Sequence, residues 1–235
     1  MKKMITLAVA ITFFLQGYAG MPQNDSGPTL PVVVLPAETD GQTPMILMIT
    51  GDGGWKDFDP RLAAAFVREK VPVVALNALH YFWDKKTPAQ ATAVVESLLK
   101  EYMGQWHKHS FILVGYSFGA DVMPFIANRL PESFMKSCRG LALFSPGTST
   151  DFEIHISQML SSHHRWKYDV VKEMEAMKPV RMLCFFGDEE KEFPVKDLTK
   201  PGWQVFYLHG GHHYGENDHQ NLAGIVLRNL GKDRR

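Results

Sequence analysis

The sequence predicts a mostly parallel α/β sheet flanked by helices, and three observations lead there. Short apolar β-type runs alternate with helix-type segments along most of the chain. Several of those runs are continuously apolar, as strands are when helices cover both faces of their sheet. One of them, Phe111-Ile112-Leu113-Val114, leads directly into Gly115-Tyr116-Ser117-Phe118-Gly119 and then a helix-type segment.

Taken in order, strands are expected over 30–35, 45–50, 71–77, 111–114, 141–144, 180–186 and 204–208. Helices are expected over 60–70, 88–106, 120–130, 170–177 and 219–230. Pro124 falls inside the fourth strand's helix, where a missing N–H predicts a kink or a late start. No repeat or low-complexity tract interrupts the pattern. The segment 145–168 is the one stretch long enough for a small cover over a site, so no large cap domain is expected.

The 235 residues are 45% hydrophobic and 21% charged, ordinary for one globular domain. Lys+Arg 25 balances Asp+Glu 25, and without a basic excess a nucleic-acid partner is not expected. The first residues point to export. Met1-Lys2-Lys3 is a basic start, Ile5 to Leu15 is apolar, and Gly17-Tyr18-Ala19 offers small residues for cleavage. This reads as a signal peptide over 1–19, too short for a membrane span, with an uncleaved anchor as the alternative. A Pro/Gly/Asn/Ser-rich tether over 20–29 follows, and one domain fills 30–235. Cys138 and Cys184 are expected to be unpaired, because Cys184 lies in an apolar run where buried thiols are common. A monomer is expected.

The chemistry is concentrated after the fourth strand. Strand, Gly-x-Ser-x-Gly, helix is the context of a nucleophile elbow, which makes Ser117 the candidate nucleophile. A serine hydroxyl needs a histidine base and a carboxylate to orient it. In an α/β-hydrolase fold these follow in the order serine, acid, histidine. The strand over 180–186 runs into Gly187-Asp188-Glu189-Glu190, and the strand over 204–208 into His209-Gly210-Gly211-His212-His213-Tyr214. Glu190, three residues past the glycine, is the candidate acid and Asp188 the alternate. His213 is the candidate base and His212 the alternate; His209 is read as structural. Backbone donors for an oxyanion are expected at Phe118 and at Asp52, within Gly51-Asp52-Gly53-Gly54-Trp55. No phosphate-loop or dinucleotide motif competes for those glycines. His212, His213, Asp218 and His219 lie close in sequence but match no metal-ligand spacing, so neither a metal nor another cofactor is expected.

With these residues assembled, the chain resembles the VirJ/AcvB family of exported bacterial proteins. The resemblance rests on Gly51-Asp52-Gly53-Gly54-Trp55, Gly115-Tyr116-Ser117-Phe118-Gly119-Ala120-Asp121, Phe152-Glu153-Ile154-His155 and Gly210-Gly211-His212-His213-Tyr214. It departs from the family at the acid loop, where Glu190-Lys191-Glu192-Phe193-Pro194 stands in place of Glu-x-Asp-Ser with a nearby cysteine. The resemblance implies a periplasmic α/β-hydrolase, peripheral to the inner membrane, that cleaves the aminoacyl ester of aminoacyl-phosphatidylglycerol. Its partners would be phospholipid head groups and components of a type IV secretion system. A non-catalytic secretion accessory and an esterase for small soluble esters are the alternatives. A cationic aminoacyl head should be met by acids around the pocket, and Asp52, Asp57, Asp59, Asp121 and some of Glu189–Glu192 are placed to serve, with Trp55 and Tyr116 as further substrate contacts.

Overall fold

The structure, a computed structural model, describes residues 29–38, 41–155, 166–214 and 219–232. The expected signal peptide and all of the tether but its last residue lie outside them.

In chain order the elements are β1 (Val32–Leu35), β2 (Met45–Ile49), α1 (Phe58–Arg68), β3 (Val73–Leu76), α2 (Ala78–Tyr81), α3 (Pro88–Gln105), β4 (Phe111–Tyr116) and α4 (Phe118–Arg129). They continue with α5 (Glu132–Ser137), β5 (Cys138–Phe144), β6 (Ser149–Thr150), β7 (Tyr168–Asp169), α6 (Val170–Glu175), β8 (Met182–Gly187), β9 (Trp203–Leu208) and α7 (His219–Leu230). Seven strands form one sheet in the order β1-β3-β2-β4-β5-β8-β9. Only β1 is antiparallel to its neighbour, pairing Val32 with Leu76. The crossover from β2 to β3 and then back past β2 to β4 makes a switch point, and α/β sites form outside the strand C-termini at such points.

Each central strand carries apolar residues on both faces because both faces are covered. Met45, Leu47 and Ile49 of β2 pack with α3 and α4, whereas Ile46 and Met48 pack with α1 and α7. The residues of β2 and β4 are buried throughout. Sequence signals set the helix starts: Thr87 and Gln90 form a reciprocal capping box ahead of Pro88 at the start of α3.

Every expected strand and helix is present, with ends shifted by a few residues. Helix α4 corrects the expectation at Pro124. It starts at Phe118, earlier than expected, and runs through Pro124 in its second turn. The proline forfeits one backbone bond inside a buried helix whose neighbours hold it on both sides. The short α2, α5, β6 and β7 were not legible, being too brief for a periodic signal. Cys138 and Cys184 lie on adjacent buried strands as separate thiols, and burial pushes the Cys184 thiol up. Among the described residues no helix is long and apolar enough to cross a membrane.

The elbow depends on close backbone approach. A Cβ on Gly119 would fall inside contact distance of the Ile49 carbonyl, and one on Gly115 would come within 2.5 Å of the Gly119 oxygen. Gly119→Ala should therefore cost about 3 kcal/mol of stability, as overpacking does. Gly104→Ala in α3, where nothing lies within 4 Å of the added methyl, should gain about 0.5 kcal/mol from helix propensity. Urea unfolding of the two variants checks the contrast.

Candidate active site

The site is built from the C-terminal ends of β2, β4, β5, β8 and β9. Ser117 follows β4 with φ 51° and ψ −119°, a strained conformation for a residue with a side chain. Its backbone N–H is tied to the Phe144 carbonyl of β5 at 2.8 Å, and its own carbonyl accepts the Asp121 N–H at 3.0 Å. The backbone is thus pinned on both sides while the hydroxyl is left free to project.

Ser117 Oγ lies 2.8 Å from His212 Nε2. His212 Nδ1 lies 2.8 Å from Glu190 Oε1. The second carboxylate oxygen of Glu190 accepts the Gly187 N–H and the Ser145 hydroxyl, each at 2.6 Å. With both oxygens occupied, Glu190 can present only one edge to the imidazole. It sits just past β8, on a turn where Glu190 N–H bonds the Gly187 carbonyl at 3.0 Å. Burial disfavours its ionisation, but the bonds from His212, Ser145 and Gly187 outweigh that and hold it below the usual glutamate range. For His212, burial acts downward and is exceeded by the Glu190 hydrogen bond and charge, with Asp121 and Asp52 adding, so the imidazole is raised above its ordinary value.

The expected base, His213, is corrected by this geometry. Its Nδ1 lies 3.0 Å from the Tyr116 hydroxyl, and the imidazole within hydrogen-bond reach of Ser117 Oγ is that of His212. The reason is the turn after β9. Tyr214, at φ 57°, bonds its N–H to the Gly211 carbonyl at 2.9 Å, which turns the preceding side chains by one position relative to a simple strand–Gly–Gly–x–His reading. Tyr214 then buries its ring, with its hydroxyl 2.7 Å from Ser145 Oγ and 3.0 Å from the Phe185 carbonyl. Asp188, the alternate acid, instead holds the neighbouring loop. It accepts the Gly210 N–H at 3.0 Å, the main cause of its lowered pKa, and lies 3.4 Å from His209 Nδ1.

The two residues whose amides are expected as donors, Asp52 and Phe118, both line the cavity at the serine. Phe118 is the first residue of α4, so its N–H has no intrahelical acceptor. Gly51 approaches so closely that a Cβ there would lie 3.7 Å from Ser117 Cβ, which brings the Asp52 amide alongside. A cavity of about 140 Å³ opens here, lined by Asp52, Ser117, Phe118, Asp121, Asp151 and Glu153. Its outer wall is His155, stacked on Trp166 with ring centroids 4.6 Å apart. A larger cavity of about 510 Å³ lies on another side of His212, lined by Ser145, Phe186, Lys191 and Phe193 among others.

Of the expected substrate contacts, Asp52 and Asp121 line the serine's cavity. Asp57 is an exposed residue at the start of α1, Trp55 packs against the core, and Tyr116 is buried with its ring beneath Gly51. Asp151, Glu153 and His155 were missed as wall residues. The available signal was the Phe152-Glu153-Ile154-His155 motif, to which the sequence attached no role. Their ligating atoms lie within 4.8 Å of one another, a spacing open to a metal ion. The Lys85 ammonium already occupies that position, 2.8 Å from Asp151 and 3.4 Å from Glu153. Asp218, considered with the histidines, lies outside the described residues.

The sequence profile of the family described as "Bacterial virulence protein (VirJ)" matches residues 43–234. The chain belongs to the VirJ family. No protein of curated function matches it in sequence. Among solved structures, this VirJ-family chain is similar to proline iminopeptidase of Mycobacterium smegmatis, at 12% identity and a TM-score of 0.61 over 87% of this chain and 97% of that one. It is similar to the type II thioesterase BorB of the borrelidin biosynthetic cluster, at 17% identity and 0.59 over 89% and 100%. It is also similar to the carboxylesterase CesB of Bacillus subtilis, at 15% identity and 0.55 over 85% and 86%. At these identities the likeness establishes the α/β-hydrolase fold.

The hydrogen-bond chain makes a sharp prediction for this VirJ-family protein. His212→Ala should abolish ester turnover about as fully as Ser117→Ala, while His213→Ala retains it. The imidazole must be neutral to accept a proton, so activity should fall as pH drops through its raised pKa. Glu190→Gln removes the main group that raises it, so the residual activity should persist to lower pH. Turnover of a soluble ester from pH 5 to 9 reads both effects.

Proposed function

We propose that this chain is a serine hydrolase that cleaves the aminoacyl ester of aminoacyl-phosphatidylglycerol, exported to the periplasm and working at the surface of the inner membrane. The observation that carries the reading is the cavity at Ser117, where four carboxylates, Asp52, Asp121, Asp151 and Glu153, are gathered beside the apolar side chains of Phe118, Ile154 and Trp166. An aminoacyl group is small and carries an ammonium beside its carbonyl, and this cavity suits both properties.

In the proposed reaction His212 Nε2 takes the Ser117 proton as Oγ bonds to the aminoacyl carbonyl carbon. The carbonyl electrons move to oxygen, where the Asp52 and Phe118 amides receive the charge. As the intermediate collapses, His212 passes the proton to the departing glycerol oxygen, and phosphatidylglycerol leaves. A water then repeats the sequence on the acyl-enzyme and frees the amino acid. Glu190 stays ionised and keeps the imidazole oriented.

Asp121 is the carboxylate best placed for the α-ammonium. It sits in the first turn of α4, with Oδ1 accepting the Gly147 N–H at 2.5 Å. No basic side chain among the described residues forms an ion pair with it. Burial pushes it up to about 8, so an arriving ammonium would supply the missing counter-charge and ionise it. Asp151 and Glu153, in contrast, already have Lys85.

Purified protein should release free amino acid from alanyl- or lysyl-phosphatidylglycerol in micelles and leave phosphatidylglycerol intact. Asp121→Asn should raise KM for the aminoacyl ester about 10-fold or more with a smaller change in kcat, and should barely affect an N-acetylated counterpart. Fatty acid as the main product would indicate a lipase. Turnover of p-nitrophenyl acetate without lipid cleavage would indicate a small-ester esterase. No turnover of any ester, with secretion lost in a deletion strain, would indicate a docking role in a type IV secretion system.

A further inference from the structure

The helix that follows the Gly-rich loop begins with a buried acid for which the proposed reaction has no use. Asp59, in the first turn of α1, is 1% exposed. Its Oδ2 accepts the Gly51 N–H at 3.3 Å, whereas Oδ1 is buried with no hydrogen-bond partner among the described residues. A bare buried carboxylate oxygen is costly, and proteins rarely keep one without a role.

That role follows from the peptide plane beside it. The Gly51 carbonyl accepts the Thr50 hydroxyl at 3.1 Å and the Gly54 N–H at 3.0 Å. Thr50 Oγ1 is itself fixed by the Ala78 N–H at 2.9 Å. In a trans peptide the next N–H points opposite to the carbonyl, so holding the Gly51 oxygen against Thr50 and Gly54 turns the Asp52 N–H to the other side of the peptide, and Asp52 lines the serine's cavity. Asp59 holds the other side of the same residue through the Gly51 amide. Beneath it lies the Tyr116 ring, 3.1 Å from where a Gly51 Cβ would be, so the loop cannot tilt inward.

We infer that Asp59 is a positioning residue for the oxyanion donor of this site: by holding the Gly51 amide it fixes the backbone turn that presents the Gly51–Asp52 peptide. Neutrality matters because an ionised carboxylate directly behind that peptide would oppose the negative charge developing in front of it. Burial, with the Asp52 charge adding, raises Asp59 to about 8 against the pull of the Gly51 amide, so at neutral pH it keeps its proton. The inference rests on the serine-hydrolase reading but not on the identity of the lipid.

The test uses p-nitrophenyl butyrate at pH 7, with Ser117→Ala as the check that turnover runs through the serine. Asp59→Asn keeps an acceptor for the Gly51 amide and carries no charge, and should retain kcat within about twofold. Asp59→Ala should lower kcat about 10²-fold, the usual cost of an oxyanion donor, with KM within about threefold. If the alanine variant does not fold, Asp59→Leu fills the space without accepting the bond, and the same split is expected. Unchanged kcat per folded molecule in the alanine or leucine variant would overturn the inference, as would a loss confined to KM. An Asn variant as impaired as the alanine would overturn it too, because it would show that charge, and not the held peptide, is what the site requires.

Discussion

The left-handed backbone at Ser117 is the constraint on which the rest of the site depends. A side chain at φ 51° is unfavourable by itself and persists only where its surroundings over-determine it. Here Gly115 and Gly119 let α4 start almost in contact with the end of β2, and the Phe144 carbonyl holds the Ser117 amide. The same compression brings Gly51 up to the serine and sets the first turn of α4 beside it. The positions of Ser117, of the amides proposed as oxyanion donors and of Asp121 all follow from one tight passage between strand and helix. Ser145, directly after β5, and Tyr214, in the turn beyond β9, also have positive φ, at 47° and 57°, and their hydroxyls meet beside Glu190.

Electrostatically, the site separates its carboxylates by what surrounds them. Glu190 has two hydrogen-bond donors on one oxygen and His212 on the other, and remains ionised. Asp59 and Asp121 each have one backbone donor, and desolvation drives both up to about 8. The same residue type thus supplies a fixed negative charge to orient an imidazole and neutral groups close to the place where an oxyanion would form. Environments that push like groups apart are how acid, base and spectator roles are assigned within one pocket.

Much of this was legible in the sequence, for identifiable reasons. Long apolar runs such as β2 and β4 are buried on both faces, so their pattern is unambiguous, and the glycines of the elbow are demanded by contacts that leave no room for a Cβ. Glu190 was legible because its distance from Gly187 is set by a single turn. His212 and His213 were not separable, since the residue that decides between them is Tyr214, whose left-handed backbone has no sequence signature. Asp57 and Trp55 were placed by proximity in sequence to the Gly-rich loop and Tyr116 by its place beside Ser117, but that loop doubles back and Asp52 is its one residue on the cavity wall. The wall formed by Asp151, Glu153 and His155 is brought in from a separate segment, paired to residues 82–86 by backbone bonds such as Ile154 N–H to the Phe82 carbonyl. Pairing between segments so far apart leaves no local pattern.

The central claim is that the aminoacyl group passes through a covalent bond to Ser117, and capturing that bond tests it most directly. Protein mixed with alanyl-phosphatidylglycerol in micelles, quenched in acid within the first turnovers and digested, would be mapped by mass spectrometry. The account predicts an alanyl ester on the peptide containing Ser117, removed by mild base and absent from Ser117→Ala. Amino acid released with no acyl adduct at any time point, or an adduct on a different residue, would contradict it.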